Sequence, residues 1–259
     1  MKNKSLAKAP ALERGLMVME ALAEDPYEMG LQELVDALNI PMASLWRIMK
    51  VLEARGYVIF DRKRHTYRLG FRFMYMGSIV LGGSHFRSNA RVYLRRLSEA
   101  TGETSELDVR IRDQLVLMDQ VTGPNAVYLY SHPGSAMPYF HATAPGKVYL
   151  AHMNAEKMRL VLARLGLARL TPKTIQSMED LEKELERVRA SGFAVDVEEM
   201  REGVARVAAP VFDGDGRVSA CIALACPAFR IREEGREETY GAWVKRIAAE
   251  MSLGEGGRL

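Results

Sequence analysis

Two sets of side chains in this 259-residue sequence have the types and spacing to do chemistry. The first is Ser44, Trp46, Arg47 and Lys50, followed shortly by Arg62, Lys63 and Arg64. Arg47 and Lys50 lie about one helical turn apart, so on a helix they share a face that reaches base edges and phosphates. They could equally form structural salt bridges. Ser44 is placed for a phosphate contact. Trp46 packs either against sugar or a thymine methyl, or as a half-covered surface aromatic. The run Arg62-Lys63-Arg64 suits the phosphate backbone. The second set centres on Arg206 in the stretch GVARVAAPVF. Strand alternation puts Val204, Arg206 and Ala208 on one face and Ala205 and Val207 on the other. An inward Arg206 is a bidentate carboxylate receptor that would seek a partner such as Asp196 or Glu198. An outward one meets solvent or bridges subunits.

Other candidates carry less. His132, His141 and His152 are spaced too widely for a recognised metal motif, so no metal and no cofactor is expected. The glycine of HATAPGK lacks the second glycine and the Ser/Thr of a phosphate-binding loop. Cys221 and Cys226, five residues apart in an apolar strand-like run, would point to opposite faces and lie too far apart to bridge. A cytoplasmic protein with two buried thiols is expected, and nucleophilic chemistry is not.

Charge separates the chain into two parts. Residues 42–72 hold eight basic and two acidic side chains, a net +6, whereas residues 85–259 hold 24 of each. Basicity confined to one segment is the footprint of phosphate contact. The elements that would carry it are legible. Apolar stripes predict helices over residues 11–24, 31–38 and 42–55, with Asn39-Ile40-Pro41 as the turn between the last two. In the third helix Leu45, Ile48, Met49 and Leu52 face inward, leaving Ser44, Trp46, Arg47, Lys50 and Val51 outside. Strands over 57–60 and 66–69 flank a wing at 61–65. Helix, turn, helix and hairpin make a winged helix-turn-helix, whose partner is double-stranded DNA.

A weakly patterned helix follows over residues 70–84, either a linker helix buried against a second subunit or an ordinary core helix. The remainder reads as mixed α/β. Helices are expected near 87–101, 146–153, 155–165, 178–191 and 233–251. Strands are expected near 104–111, 115–121, 127–130, 194–197, 205–212 and 217–225, with Asp213-Gly214-Asp215-Gly216 as a hairpin turn. The N-terminal MKNKSLAKAPALERG has no apolar core and no cleavage-like site, so no signal peptide is expected. The charge-free stretch 73–86 is too short and broken for a membrane span.

The segments ALERGLMVMEALAE, IPMASLWRIMKVLEARGYV, YRLGFRF, ATGETSELDV, HATAPGKVYLAHM, LTPKTI, SGFAVDVEE, GVARVAAPVFDGDGRVSACIAL and CPAFRI, in this order, resemble the IclR-type bacterial transcription regulators nearly end to end. The resemblance implies an α+β chain: a winged helix over 1–70, a linker helix over 71–85 and a GAF-like effector-binding domain over 86–259. It also implies a homodimer, often paired into a tetramer, on promoter DNA. Effector contacts are expected from His141, Ala142, Thr143, Gly146, Asp196, Arg206, Ala223 and Ala225. Members that sense small oxo-acids carry cysteine where this chain has Arg206, serines at Ala223 and Ala225, and glycine at Cys226. Two lost hydroxyls and one gained guanidinium point to an organic acid with an apolar body, larger than glyoxylate or pyruvate. The alternative is a small-molecule-converting enzyme with a basic DNA- or RNA-binding appendage.

Overall fold

The structure, a computed structural model, describes residues 9–24, 27–82 and 85–254. The first eight residues of the N-terminal arm, and Gly83 and Ser84 of the charge-free stretch, lie outside those residues. The chain divides into two compact units after Gly83.

The first unit runs α1 (Pro10–Ala21), β1 (Glu28–Gly30), α2 (Leu31–Leu38), α3 (Met42–Ala54), β2 (Val58–Asp61), β3 (Thr66–Leu69) and α4 (Arg72–Gly82). Its antiparallel sheet has the order β1-β3-β2. α2 starts where the Glu33 carboxylate accepts the Gly30 N–H at 2.6 Å, and it stops because Asn39 turns left-handed, with φ 52°. Pro41 then opens α3. Val18, Leu22, Leu34, Ile40, Leu45, Met49, Val58 and Tyr67 form one core from all of these elements except α4 and β1. Burying the Leu45–Met49 side of α3 turns its opposite side to solvent. The hairpin is closed at Gly70, whose N–H donates to the Tyr57 carbonyl at 2.7 Å. A Cβ there would sit 2.2 Å from the Gly56 oxygen. On α4, Met74, Tyr75, Met76 and Ile79 are exposed.

The second unit contains α5 (His85–Thr101), β4 (Thr104–Ile111), β5 (Gln114–Val121), β6 (Ala136–Met137), a short 3-10 turn (Phe140–Ala142), α6 (Ala144–His152), α7 (Ala155–Leu165), α8 (Met178–Ser191), β7 (Ala194–Val197), β8 (Val204–Phe212), β9 (Val218–Pro227), α9 (Ala228–Ile231) and α10 (Arg236–Leu253). The six strands make one antiparallel sheet, β6-β5-β4-β9-β8-β7. One face packs on α5 and α10 through Leu107, Val207, Ile222, Leu224 and Val244. The other packs on α6, α7 and α8 through Val148, Leu185, Ala208, Cys221 and Ala223. Cys221 and Cys226 are buried on opposite faces, as alternation requires. Pro210 lies on β8 beyond the last residue paired to β7, where a missing N–H breaks no ladder on that side.

The expected strand over 127–130 is absent. Val127, Tyr128 and Tyr130 are all exposed, so no face is buried to fix a register. Side chains take the backbone groups instead: the Thr104 hydroxyl donates to the Leu129 carbonyl at 2.7 Å, and Gln120 bonds both the N–H and the carbonyl of Ser131. The sheet edge is Ala136–Met137.

Candidate nucleic-acid interface and buried polar pocket

Trp46, Arg47 and Lys50 project from the exposed side of α3, and Ser44 is half-buried near its start. Trp46 keeps 50% of its surface exposed, so it is not a core residue. The Lys50 ammonium lies 5.8 Å from the Trp46 ring centre and 3.2 Å from Glu53. The Arg47 Nε donates back to the Ala43 carbonyl at 3.2 Å. These are local, solvent-screened contacts that a polyanion can replace at small cost.

The wing is shaped by Asp61. Its Oδ1 accepts the N–H groups of Lys63 (2.8 Å) and Arg64 (3.1 Å), and those two donors hold its carboxyl below the usual range. His65 closes the turn with φ 55°. Arg62, Lys63 and Arg64 are exposed, but they are not equivalent. Arg64 reaches across to β1 and bridges Glu28 at 2.7 Å, whereas Arg62 and Lys63 make no ion pair among the described residues. Arg64 therefore ties the wing to β1, and the other two form its free tip.

In the second unit, strand register brings most of the expected effector residues to one face of the sheet. Thr104, Ala225, Arg206 and Asp196 stand in one row across four strands, and Glu106, Ala223 and Ala208 in the next. Arg206 points inward and is buried. Its Nε donates to Glu106 Oε2 at 3.0 Å. The expected partner Glu198 is turned elsewhere, pairing with Lys173 and Arg232. Asp196 lies beside Arg206, but its Oδ1 accepts the Glu199 N–H at 2.8 Å. Burial opposes the charge of Arg206, yet Glu106 and Asp196 outweigh it and hold the guanidinium protonated.

His141, Ala142 and Thr143 are buried before α6. Burial lowers the pKa of His141, and its Nε2 lies 3.0 Å from the Ala168 carbonyl, so the neutral ring serves as a donor there. The Thr143 hydroxyl caps α6 by accepting the Gly146 N–H at 3.2 Å, and donates to the Tyr139 carbonyl. Only glycine fits at Gly146, because a Cβ would fall 2.3 Å from the Phe140 oxygen. These residues hold α6 against the 3-10 turn.

Sequence reasoning missed four charged members of the buried face. Lys147, 1% exposed, donates to the Val195 carbonyl (2.8 Å), Glu199 (2.6 Å) and Glu184 (3.2 Å). Glu106 and Asp108 face the same side from β4, and Glu199 follows β7. Burial and Glu106 push the Asp108 carboxyl well above its ordinary value. The alternation of Glu106 and Asp108 was the available signal, but on a half-exposed strand the same alternation marks the solvent face.

Residues 11–62 match the IclR helix-turn-helix domain, and residues 79–253 match the bacterial transcriptional regulator IclR C-terminal domain. The chain is 30% identical to the HTH-type transcriptional repressor AllR of Salmonella typhi over 96% of this chain and 90% of that protein. It is also 30% identical to the HTH-type transcriptional regulator XynR of Escherichia coli strain K12, over 85% of this chain and 87% of that one. Among solved structures, an IclR transcriptional regulator from Alicyclobacillus acidocaldarius superposes with a TM-score of 0.83 at 25% identity, covering 97% of this chain and all of that one. An IclR homologue from Microbacterium hydrocarbonoxydans, solved with 4-hydroxybenzoate, gives 0.71 at 20% identity, covering 93% and 99%. The curated relatives are named as regulators, not enzymes, and the enzyme alternative falls with that finding. No described helix is long and apolar enough to cross a membrane.

Proposed function

Because the chain belongs to the IclR family of bacterial transcriptional regulators, we propose that it binds a two-fold promoter site and releases or tightens on it when a small organic acid enters the second unit. In this reading residues 1–70 contact DNA, 71–85 link, and 86–259 bind the effector. The observation that carries the DNA part is the exposed side of α3, with Trp46, Arg47 and Lys50 and the half-buried Ser44 near its start, together with a wing tipped by Arg62 and Lys63. Arg64 contributes by fixing the wing. The exposed apolar side chains of α4 support a homodimer, since a monomer would leave them wet. A tetramer follows from the family resemblance. For the effector part, the inward guanidinium of Arg206 supports an acid, and the homologue that holds 4-hydroxybenzoate binds an aromatic one.

Selection from fragmented genomic DNA tests the reading, with recovery of an enriched palindrome as the expected outcome. If about six phosphates are neutralised per reader, affinity falls on the order of 10³-fold between 50 and 200 mM salt. Arg47→Ala should weaken the preferred site by about 1–3 kcal/mol and relax its base preference. Recovery of no enriched sequence overturns the proposal.

A further inference from the structure

The buried face around Arg206 holds more acceptors than donors. Glu106, Asp108, Asp196, Glu199 and Glu184 stand against Arg206 and Lys147, with Arg110 two residues beyond Asp108 on β4. All three hydrogens of Lys147 are engaged, and Arg206 Nε is given to Glu106. After these bonds Asp108 Oδ2, Asp196 Oδ2 and Glu199 Oε2 have no hydrogen-bond partner among the described residues. Asp108 is 2% and Asp196 1% exposed, so neither is open to bulk solvent. A buried acceptor left unsatisfied destabilises the fold, and more so when it is charged. The small residues between the acids, Ala208, Ala223 and Ala225, supply no donor. No group of three His, Cys, Asp or Glu side chains among the described residues is placed to hold a metal ion. Arg110 Nε, near Asp108, is an orphaned donor as well, so the acceptor left for a ligand's N–H beside Arg206 is Asp196 Oδ2.

One fixed feature selects among donors. The two Nη atoms of Arg206 make no hydrogen bond among the described residues, so its fork remains open to a carboxylate. A plain monocarboxylate would take that fork but bring a further carboxylate to an acid-rich face, and it would leave the orphaned oxygen of Asp196 as it is. We propose that the effector is amphoteric: its carboxylate is held by Arg206, and its ammonium, amide or guanidinium hydrogens are held by Asp196, the residue paired with Arg206 on the neighbouring strand. The inference rests on reading the second unit as the effector sensor and narrows that effector from an acid to an acid with its own donors. Burial drives the Asp196 carboxyl upward, which is the strain that a bound cation relieves.

The test uses the full-length protein and matched trios of one carbon skeleton: leucine, 4-methylpentanoate and 3-methylbutylamine; phenylalanine, 3-phenylpropanoate and 2-phenylethylamine; and 5-aminopentanoate, pentanoate and pentylamine, each at millimolar concentration in a thermal-shift assay. The expected result is that the amphoteric member of at least one trio raises Tm by about 3 °C or more while its acid and its amine do not. Asp196→Asn erases that preference, whereas Asp108→Asn, further along the sheet, keeps it. Without ligand, Asp108→Asn should melt a few degrees above wild type, because it removes an uncompensated carboxylate. Plain acids stabilising as well as their amphoteric partners, in wild type and both variants, would overturn the inference and leave the sensor reading standing. A lower melting point for both unliganded asparagine variants, or silence from every trio, also overturns it. The sensor reading fails separately, when neither these compounds nor hydroxy acids alter the affinity for the selected DNA.

Discussion

The two units hold positive charge in opposite ways. On the first, Arg47, Lys50, Arg62 and Lys63 stand in water, with local contacts at most. In the second, Lys147 and Arg206 are buried, and each is held by carboxylates that are buried (Glu106) or largely covered (Glu184 and Glu199). Exposed cations can exchange their neighbours for phosphates with little desolvation, so they act on affinity and hardly on stability. Buried ones are fixed by partners that cannot be rehydrated, so disturbing them is felt by the fold. Substitutions in the two units should therefore register in different measurements.

The largest effect tests the buried side of that contrast. Glu106→Ala leaves Arg206 without its hydrogen-bonded carboxylate, and breaking a buried pair in this way costs about 3–5 kcal/mol. The urea midpoint of the second unit should drop accordingly, while the folded protein keeps its salt-dependent DNA binding. An unchanged midpoint would mean that Arg206 is not held by this pair in solution.

A smaller effect is expected from pH. Burial, only partly offset by Lys147, pushes Glu199 up from 4.5 to about 7. The folded-state value lies above the unfolded one, so the native chain keeps a proton that the unfolded chain gives up. Stability is then greatest below about pH 4.5 for this group and is lost as pH rises through 7. The loss is at most about 3 kcal/mol. Asp196 and Asp108 are shifted in the same direction and add to the slope. Melting between pH 5 and 8 should show it, and Glu199→Gln should flatten it; a slope unaltered in that variant assigns the effect elsewhere.

The smallest effects sharpen the exposed side. Lys63→Ala should reduce the salt slope of DNA binding by about one, equally for all sequences, and leave stability within about 0.5 kcal/mol. Arg64→Ala should differ in kind. Because it removes the bridge to Glu28, it should lower wing order and cost up to about 1 kcal/mol. Equal behaviour of the two variants in both assays would erase the distinction between wing tip and wing anchor.

The same contrast explains what could be read from the sequence. The reader unit is governed by local rules. An apolar stripe, a left-handed asparagine and a proline at a helix start define α2 and α3 without reference to anything distant. Strand β1 escaped notice because three residues carry no period, and it exists only by pairing with residues some forty positions on. The inward turn of Arg206 followed from alternation along β8, but its partner did not. Glu106 is a hundred residues away in the chain, and only the β4-β9-β8 order brings it near. The aromatic and β-branched residues of 127–130 suggested a strand because propensity was read without burial. Tyr128 and Tyr130 meet no core, and the Thr104 hydroxyl of β4 and the Gln120 amide of β5 hold the backbone there instead.

The outer strands of the six-stranded sheet limit how copies of this unit can stick together. One edge ends in a strand of two residues and the other in a strand of four. Where β8 runs on past β7, the uncovered stretch contains Pro210, which cannot donate to an incoming strand. Short borders interrupted by proline give a neighbouring chain little backbone to pair with. The unit can therefore keep long apolar strands at its centre, such as Val218–Pro227, without offering them as a template for fibrous growth. Self-association that respects this sheet must use side-chain surfaces, and a truncation that strips β7 should be recognised first by aggregation on storage.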